Sequence, residues 1–244
     1  MNKAEEFMRY SSKLIETIMR EEGENIEKAA VALKETMANG GMLYTFGTGH
    51  STMLCMEPYF RAGGLGGCYP IMYERVLPHV VKKPEDRHLE RSEGVTAEIF
   101  KDYPIKKGDT MFIFCYGGKN ATSVDACLLC KEMGVTGIGI SSVEHATAVG
   151  PHHSSGLLVH QACDISIDTH GPVGDAAISF GEFTAGPIST IAGAAIVQAV
   201  TCRAIELMLA EGIQPEVLLS ANVPGGDEHN RPIVEKYQKI IPFA

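Results

Sequence analysis

Gly47-Thr48-Gly49-His50-Ser51 follows directly on an apolar run, Met42 to Phe46, and precedes Thr52-Met53-Leu54-Cys55-Met56-Glu57, which has the pattern of a starting helix. A strand that breaks into glycines and restarts as a helix aims unpaired backbone N–H groups at one point. The helix dipole adds partial positive charge there. Gly47 and Gly49 permit close approach and positive φ. Ser51 and Thr52 bring hydroxyls for a cap or for a ligand oxygen, and His50 stands in the same turn. The chemistry this suits is anion binding, phosphate above all.

Two further turns have the same character. Thr110 to Cys115 is an apolar run that ends in Tyr116-Gly117-Gly118-Lys119-Asn120, with Thr122 and Ser123 just behind; Val135 to Ile140 ends in Ser141-Ser142. Glycine, serine and asparagine supply N–H and hydroxyl donors, and Lys119 adds a point charge. One helix start contributes about 0.3–1 kcal/mol per anion, so affinity calls for several donors acting together. The candidate ligand contacts are therefore Gly47, Gly49, His50, Ser51, Gly118, Lys119, Asn120, Ser123, Ser141 and Ser142.

The elements that must position these turns can be read along the chain. Residues 2–38 are helical, with a break at Gly23; Met8, Ile15, Ile18 and Met19 make one apolar face, and Ile26, Ala29, Ala30, Leu33 and Met37 another. This leading arm packs on the core or on a second subunit. The helix after the first glycine turn runs to about Ala62, with Pro58 as a kink, and Gly63-Gly64-Leu65-Gly66-Gly67 ends it. Cys68 to Tyr73 is the second strand. Pro78 to Ser92, with His79, Arg87, His88 and Arg91, is irregular and polar, and Glu93 to Phe100 is a short helix. A helix carrying Val124, Cys127 and Leu128 inward follows the third strand, and Asp164 to Asp168 is the fifth strand. Pro187 opens a long helix at a favoured first position, apolar nearly all round. Ser220 to Asn230 is a glycine loop before a last helix, Ile233 to Ile240, so residues from about 212 onward form a loop–helix tail. Apolar runs without alternation, separated by helices, imply a parallel sheet covered on both faces in one α/β domain.

Composition narrows the function. The 244 residues carry a formal charge of −9, which argues against an electrostatic nucleic-acid footprint. Seven cysteines without paired small-domain spacing suit reduced thiols, hence the cytoplasm, and the first residues have no signal-peptide pattern. The most apolar segment, Pro187 to Leu209, is interrupted by Gln198, Arg203 and Glu206, unlike a membrane span. Cys127-x-x-Cys130 has zinc-like spacing but no second pair follows, and His152 and His153 are adjacent, so the sequence calls for no metal and no cofactor.

The three turns, their order and their spacing resemble the SIS (sugar isomerase) domain of phosphosugar-binding proteins over roughly residues 25–210. The resemblance is to the phosphoheptose isomerase-like branch. Within it stands a bacterial group that shares Gly-x-Gly-His-Ser, Glu57-x-x-x-Arg61-Ala62-Gly63-Gly64, His153-Ser154-Ser155-Gly156, Gly174-Asp175-Ala176 and Gly225-Gly226-Asp227. It implies a three-layer, flavodoxin-like fold with a five-stranded parallel sheet. It also implies a sugar phosphate as ligand and a homodimer or homotetramer whose sites are lined partly by a neighbour. The serines that the family carries before the second-turn glycine are replaced here by Cys115 and Gly117, with Thr122 and Ser123 as substitutes; Arg61 and Gln198 stand where phosphoheptose isomerases have a glutamate and a histidine.

Aldose–ketose isomerisation moves a proton between adjacent carbons and needs a base and a carbonyl polariser. The candidates for the proton transfer are Glu57, one helical turn from Arg61 and able to pair with it, Glu182 before the long helix, and His79 and His88 in the irregular segment. Arg61 and Asp227, the latter clustered with Glu228 and His229, are further ligand candidates. A non-catalytic sugar-phosphate-binding module is the competing reading, since the family's own glutamate and histidine are missing. A dinucleotide site fits less well, because Thr52 holds the place of the third glycine.

Overall fold

The computed structural model describes residues 1–80, 83–86 and 88–241; Arg87 lies outside the described residues. The elements are α1 (Lys3–Glu21), α2 (Gly23–Ala38), β1 (Leu43–Gly47), α3 (Thr52–Met56), β2 (Cys68–Pro70), α4 (Val95–Phe100), β3 (Thr110–Phe114), α5 (Ala121–Met133), β4 (Thr136–Ser141), α6 (Val143–Val149), α7 (Val159–Ala162), β5 (Ile165–Asp168), β6 (Ala176–Ser179), β7 (Thr184–Pro187), α8 (Ser189–Ala210) and α9 (Gly226–Tyr237).

The apolar runs of the sequence become a five-stranded sheet of order β2-β1-β3-β4-β5, parallel throughout. Successive side chains point to opposite faces, and both faces are covered. Leu43, Phe112, Phe114, Ile138, Ile140 and Ile167 pack under α1, α2, α3 and α8. Tyr44, Phe46, Met111 and Ile113 pack under α4, α5, α7 and α9. The three-layer α/β architecture inferred from sequence is the one observed. Asp109, fully buried, ties the strand entrances together: its carboxylate accepts the N–H groups of Met42 (2.9 Å) and Lys106 (2.8 Å).

In this strand order the chain leaves β1 toward one edge and returns on its other side as β3. The β1/β3 boundary is the topological switch point, where ligands of open α/β sheets bind. Pairing of Gly47 with Phe114, and of Phe114 with Ile140, brings the three turns out at one level of the carboxyl edge.

Several elements depart from the sequence expectation. On α1 the inward stripe is Ser11, Leu14 and Ile18, while Met8, Ile15 and Met19 face outward, so the four-residue apolar face is split. A capping box at Asn2 and Glu5 starts this helix. α3 ends at Met56 rather than near Ala62: Glu57 still has helical backbone, but Pro58 lacks the N–H that would carry the ladder on; Phe60 then turns at φ 37° and Gly63 at φ 82°. Pro187 does not open the long helix. It is the last residue of β7, paired with Ala176 in the β6–β7 hairpin, and α8 opens at Ser189. The hairpin strands are four residues long, β6 partly buried and β7 mostly exposed, so neither has the alternating burial from which strands are read. α9 opens at Gly226, not Ile233, with Asp227 and Glu228 in its first turn, where carboxylates favour the dipole. Pro232 inside that helix had masked it.

α8 is the one described helix long and apolar enough to cross a membrane by length and composition. Its buried side, with Ala192, Ile196, Val197, Val200 and Ala204, belongs to the core shared with α1, α2 and α3. Arg203 on α8 pairs with Glu27 of α2.

Candidate functional site

Each predicted turn begins where a strand stops and is shaped by residues the sequence singled out. In the first, a Cβ on Gly47 would meet the Ser51 Cβ at 3.0 Å, and Gly49 is left-handed at φ 58°. The Thr52 hydroxyl donates to the Gly49 carbonyl (2.7 Å), holding the turn closed. Ser51 is half-buried and His50 exposed. In the second, Gly118 is left-handed at φ 61°, and a Cβ there would lie 2.7 Å from the Ala146 Cβ and 3.6 Å from Ser141 Oγ. The second and third turns are thus in van der Waals contact. They are also stitched together by the Ser142 N–H donating to the Tyr116 carbonyl (2.9 Å).

The hydroxyls divide into two kinds. Ser142 is committed to structure: its Oγ donates to the Gly171 carbonyl (2.7 Å) and accepts the His145 N–H (3.1 Å), capping α6. This removes Ser142 from the candidate ligand contacts. Ser123 and Ser141 are fully buried, and neither hydroxyl has a hydrogen-bond partner. Asn120 stands at the N-cap of α5 without a side-chain capping bond. Lys119 is half-buried and makes no ion pair with the described residues.

Two cavities flank the first turn. One, of about 130 Å³, lies between His50 and Ser51 on one side and Tyr116, Asp175, Ser189 and Thr190 on the other. The second, of about 390 Å³, is lined by Thr48, Gly49 and Asn120 together with His88 and Glu90. A larger cavity of about 630 Å³ holds Arg61, Asp227 and Arg231, but no residue of the three turns lines it. Size therefore does not select the site; the turns are singled out by two buried, unpartnered serines, which line none of the three cavities.

Of the proposed proton carriers, His88 lines the second cavity, while Glu57, Glu182 and His79 stand apart from these turns. Glu57 pairs with Arg61 and accepts from Gln198 Nε2 at 3.1 Å, so its carboxylate is bound into the α3–α8 contact. The expected one-turn ion pair forms, and Gln198 joins it. Glu182 sits at the exposed tip of the β6–β7 hairpin, a consequence of the misplaced helix start. His79 is exposed and lines neither flanking cavity. Arg61 and Asp227 do come together, in the separate large cavity.

Four residues near the turns were not singled out as site residues from the sequence alone. Asp175 (φ 70°) accepts the N–H groups of Ile188 (3.0 Å) and Ser189 (2.8 Å) and the Ser189 hydroxyl (2.7 Å), so it starts α8 from across the cavity. The Tyr116 phenol donates to the Pro172 carbonyl (2.5 Å), and burial, then the Asp175 charge, push its ionisation well above the usual range. His145 accepts the Gly174 N–H at Nδ1 (2.9 Å), which places the proton of the neutral ring on Nε2. Glu90 is the fourth. Only Gly174-Asp175-Ala176 gave a signal in the sequence, as a shared motif without an assigned role. The His153-Ser154-Ser155-Gly156 motif pins its loop to the start of α5: His153 Nε2 lies 3.0 Å from Asp125, and the Ser154 hydroxyl donates to Glu93 (2.7 Å).

Burial, then the Lys119 ammonium, hold the His145 imidazole below the usual histidine range, with Asp175 opposing. A histidine whose folded pKa is depressed favours folding above its unfolded pKa of about 6.5 and loses that contribution as pH falls. Unfolding midpoints in urea are expected to drop between pH 7 and pH 5, and the drop should be smaller in His145→Asn. An equal drop in both proteins would show that His145 is not the titrating group.

A SIS-domain family model matches residues 6–142. A UPF0309 protein of Geobacillus kaustophilus is 36% identical over 230 residues, covering 93% of this chain and 91% of that protein. Among solved structures, the phosphoheptose isomerase GmhA of Neisseria gonorrhoeae superposes with a TM-score of 0.54 at 11% identity, over 82% of this chain and 96% of that one. The Vibrio vulnificus NanR protein complexed with ManNAc-6P superposes with a TM-score of 0.51 at 12% identity, over 99% of this chain and 71% of that one. At such identities the two structures share the fold with this chain, while the family model covers more than half of it. The turns, the strand order and the family match agree: the chain belongs to the SIS-domain family.

Proposed function

We propose that this protein binds a phosphorylated sugar at the β1/β3 switch point and isomerises it between aldose and ketose. The observation that carries the binding is the pair of fully buried hydroxyls left without partners, Ser141 beside the left-handed Gly118 and Ser123 in the first turn of α5. A buried polar group without a partner costs about 1–3 kcal/mol, and a phosphoryl oxygen is a strong acceptor for both. Lys119 and the N–H groups at the start of α5 supply the countercharge. NanR, a neighbour in fold, was solved with the sugar phosphate ManNAc-6P, which supports the ligand class; GmhA, another, is a phosphoheptose isomerase, which supports the reaction class.

A homo-oligomer belongs to the same reading. Met8, Ile15 and Met19 form an outward stripe on α1, at 69%, 41% and 70% exposure, of the kind helices bury against a second copy.

Ser141→Ala removes one of the two hydroxyls without a steric change. Affinity for aldose phosphates, measured by calorimetry, is expected to fall by about 1–3 kcal/mol, while the ligand-free variant melts no lower than the unsubstituted protein, since it no longer buries an unpartnered hydroxyl. Unaltered affinity in the folded variant would take the third turn out of the site. Incubating the unsubstituted protein with aldopentose and aldohexose phosphates in deuterated water tests the chemistry: an isomerase washes deuterium into C1 or C2, whereas a binding module leaves both carbons unlabelled.

A further inference from the structure

The isomerase reading lacks a base, since Glu57 is bound to Arg61 and Gln198, Glu182 caps an exposed hairpin and His79 lines neither cavity. The two cavities beside the first turn differ in what they can hold. Ligand pockets run from about 300 to 1,000 Å³; the cavity of about 390 Å³ falls within that range and the one of about 130 Å³ below it. The larger of these two is walled by Thr48, Gly49 and Asn120 from the phosphate turns and by His88 and Glu90 from the segment between β2 and α4. It is where a sugar would extend from a phosphoryl group seated on the turns.

Glu90 is held against those turns by its backbone. Its carbonyl accepts the hydroxyl of Thr122 (3.0 Å), the residue before Ser123. Its carboxylate is half-buried, and among the described residues its ion-pair contacts are loose, 3.8 Å to His88 Nδ1 and 3.9 Å to Arg91 Nε. His88 takes the left-handed conformation, φ 62°, unusual for a residue with a side chain and a form of strain that gathers at functional sites. A carboxylate and an imidazole thus share one cavity with the phosphate turns, the pair of groups that a proton shift between adjacent carbons needs.

Building on the sugar-phosphate reading, we propose that Glu90 is the catalytic base and His88 its acid partner. Glu90 takes the proton from C2 of the open-chain aldose while His88 gives one to the carbonyl oxygen at C1, leaving an enediol. Glu90 then returns its proton to C1 as the C2 hydroxyl gives its proton back to His88, leaving the ketose. Two protons move out and two move back, so no oxidant, reductant or metal enters the balance.

Glu90→Gln keeps the backbone carbonyl that anchors Thr122 and removes only the base. With the aldose phosphate that the unsubstituted protein exchanges fastest, the variant is expected to bind with the same Kd and to lose deuterium wash-in by about 10²–10⁴-fold. Wash-in within threefold of the unsubstituted rate, at unchanged Kd, overturns the assignment of Glu90 and leaves the isomerase reading standing. Binding without wash-in by the unsubstituted protein overturns both the base and the isomerase reading but keeps the binding site. Failure of the unsubstituted protein to bind any aldopentose or aldohexose phosphate overturns all three.

Discussion

Gly118→Ala is expected to cost both stability and phosphosugar affinity, the largest effect of any single methyl group placed in the site. At φ 61° an alanine pays about 1–2 kcal/mol for left-handed backbone. The added Cβ then lies 2.7 Å from the Ala146 Cβ, an atom fixed to the α6 backbone that cannot swing aside. The clash is relieved only by parting the second turn from the third, which pulls Gly118 away from Ser141. Affinity for aldose phosphates should fall at least about tenfold, equivalent to 1.4 kcal/mol, alongside a stability loss of about 1–3 kcal/mol. Gly156 is the control. It is also left-handed, at φ 72°, yet a Cβ there meets nothing within 4 Å. Gly156→Ala should pay the backbone cost and keep full affinity. Equal affinity in the Gly118 and Gly156 variants would falsify the shared anion site of the two turns.

Phe112→Ala should produce the greatest loss of stability, about 3–5 kcal/mol. Phe112 is central in β3, fully buried, between β1 and β4, with its ring 6.1 Å from that of Phe114. It faces the layer built by α1, α2, α3 and α8, where its removal leaves a void under several helices at once. The loss should appear as a lower urea midpoint with an unchanged slope. In thermal unfolding it corresponds to roughly 6–20 °C for a chain of this size. A loss below about 1 kcal/mol would mean that the layer collapses onto the void and that the core is not jigsaw-packed around β3.

These variants probe different parts of the same construction. Phe112 holds the layers together and Gly118 sets the spacing of two turns on top of them. A protein with Phe112→Ala that still folds at low temperature should keep its affinity, because the turns are fixed by local bonds such as Ser142 N–H to Tyr116 and Thr52 to Gly49.

What could be read from residue order alone is the part governed by local periodicity and backbone chemistry. Apolar runs of five or six residues named β1, β3 and β4. Glycines at 47, 49 and 118 marked turns that need close approach or positive φ. The alternation of strand and helix predicted the layers. Local signals failed where a side chain is claimed by a residue far along the chain. Ser141 and Ser142 look alike in sequence. Ser142 spends its hydroxyl on Gly171, 29 residues on, while Ser141 is left free beside Gly118. Glu57 reads as a base in residue order, but Gln198, 141 residues away, donates to its carboxylate. Glu90 had no signal at all, because its place beside the turns rests on a backbone bond to Thr122 and on an irregular segment without periodicity. The sheet, its layers and the turns that could hold a phosphate follow from burial and backbone freedom within a few residues, so residue order carries them. Which hydroxyls and carboxylates remain available is settled by the fold, because availability depends on which distant partners it brings within hydrogen-bond reach.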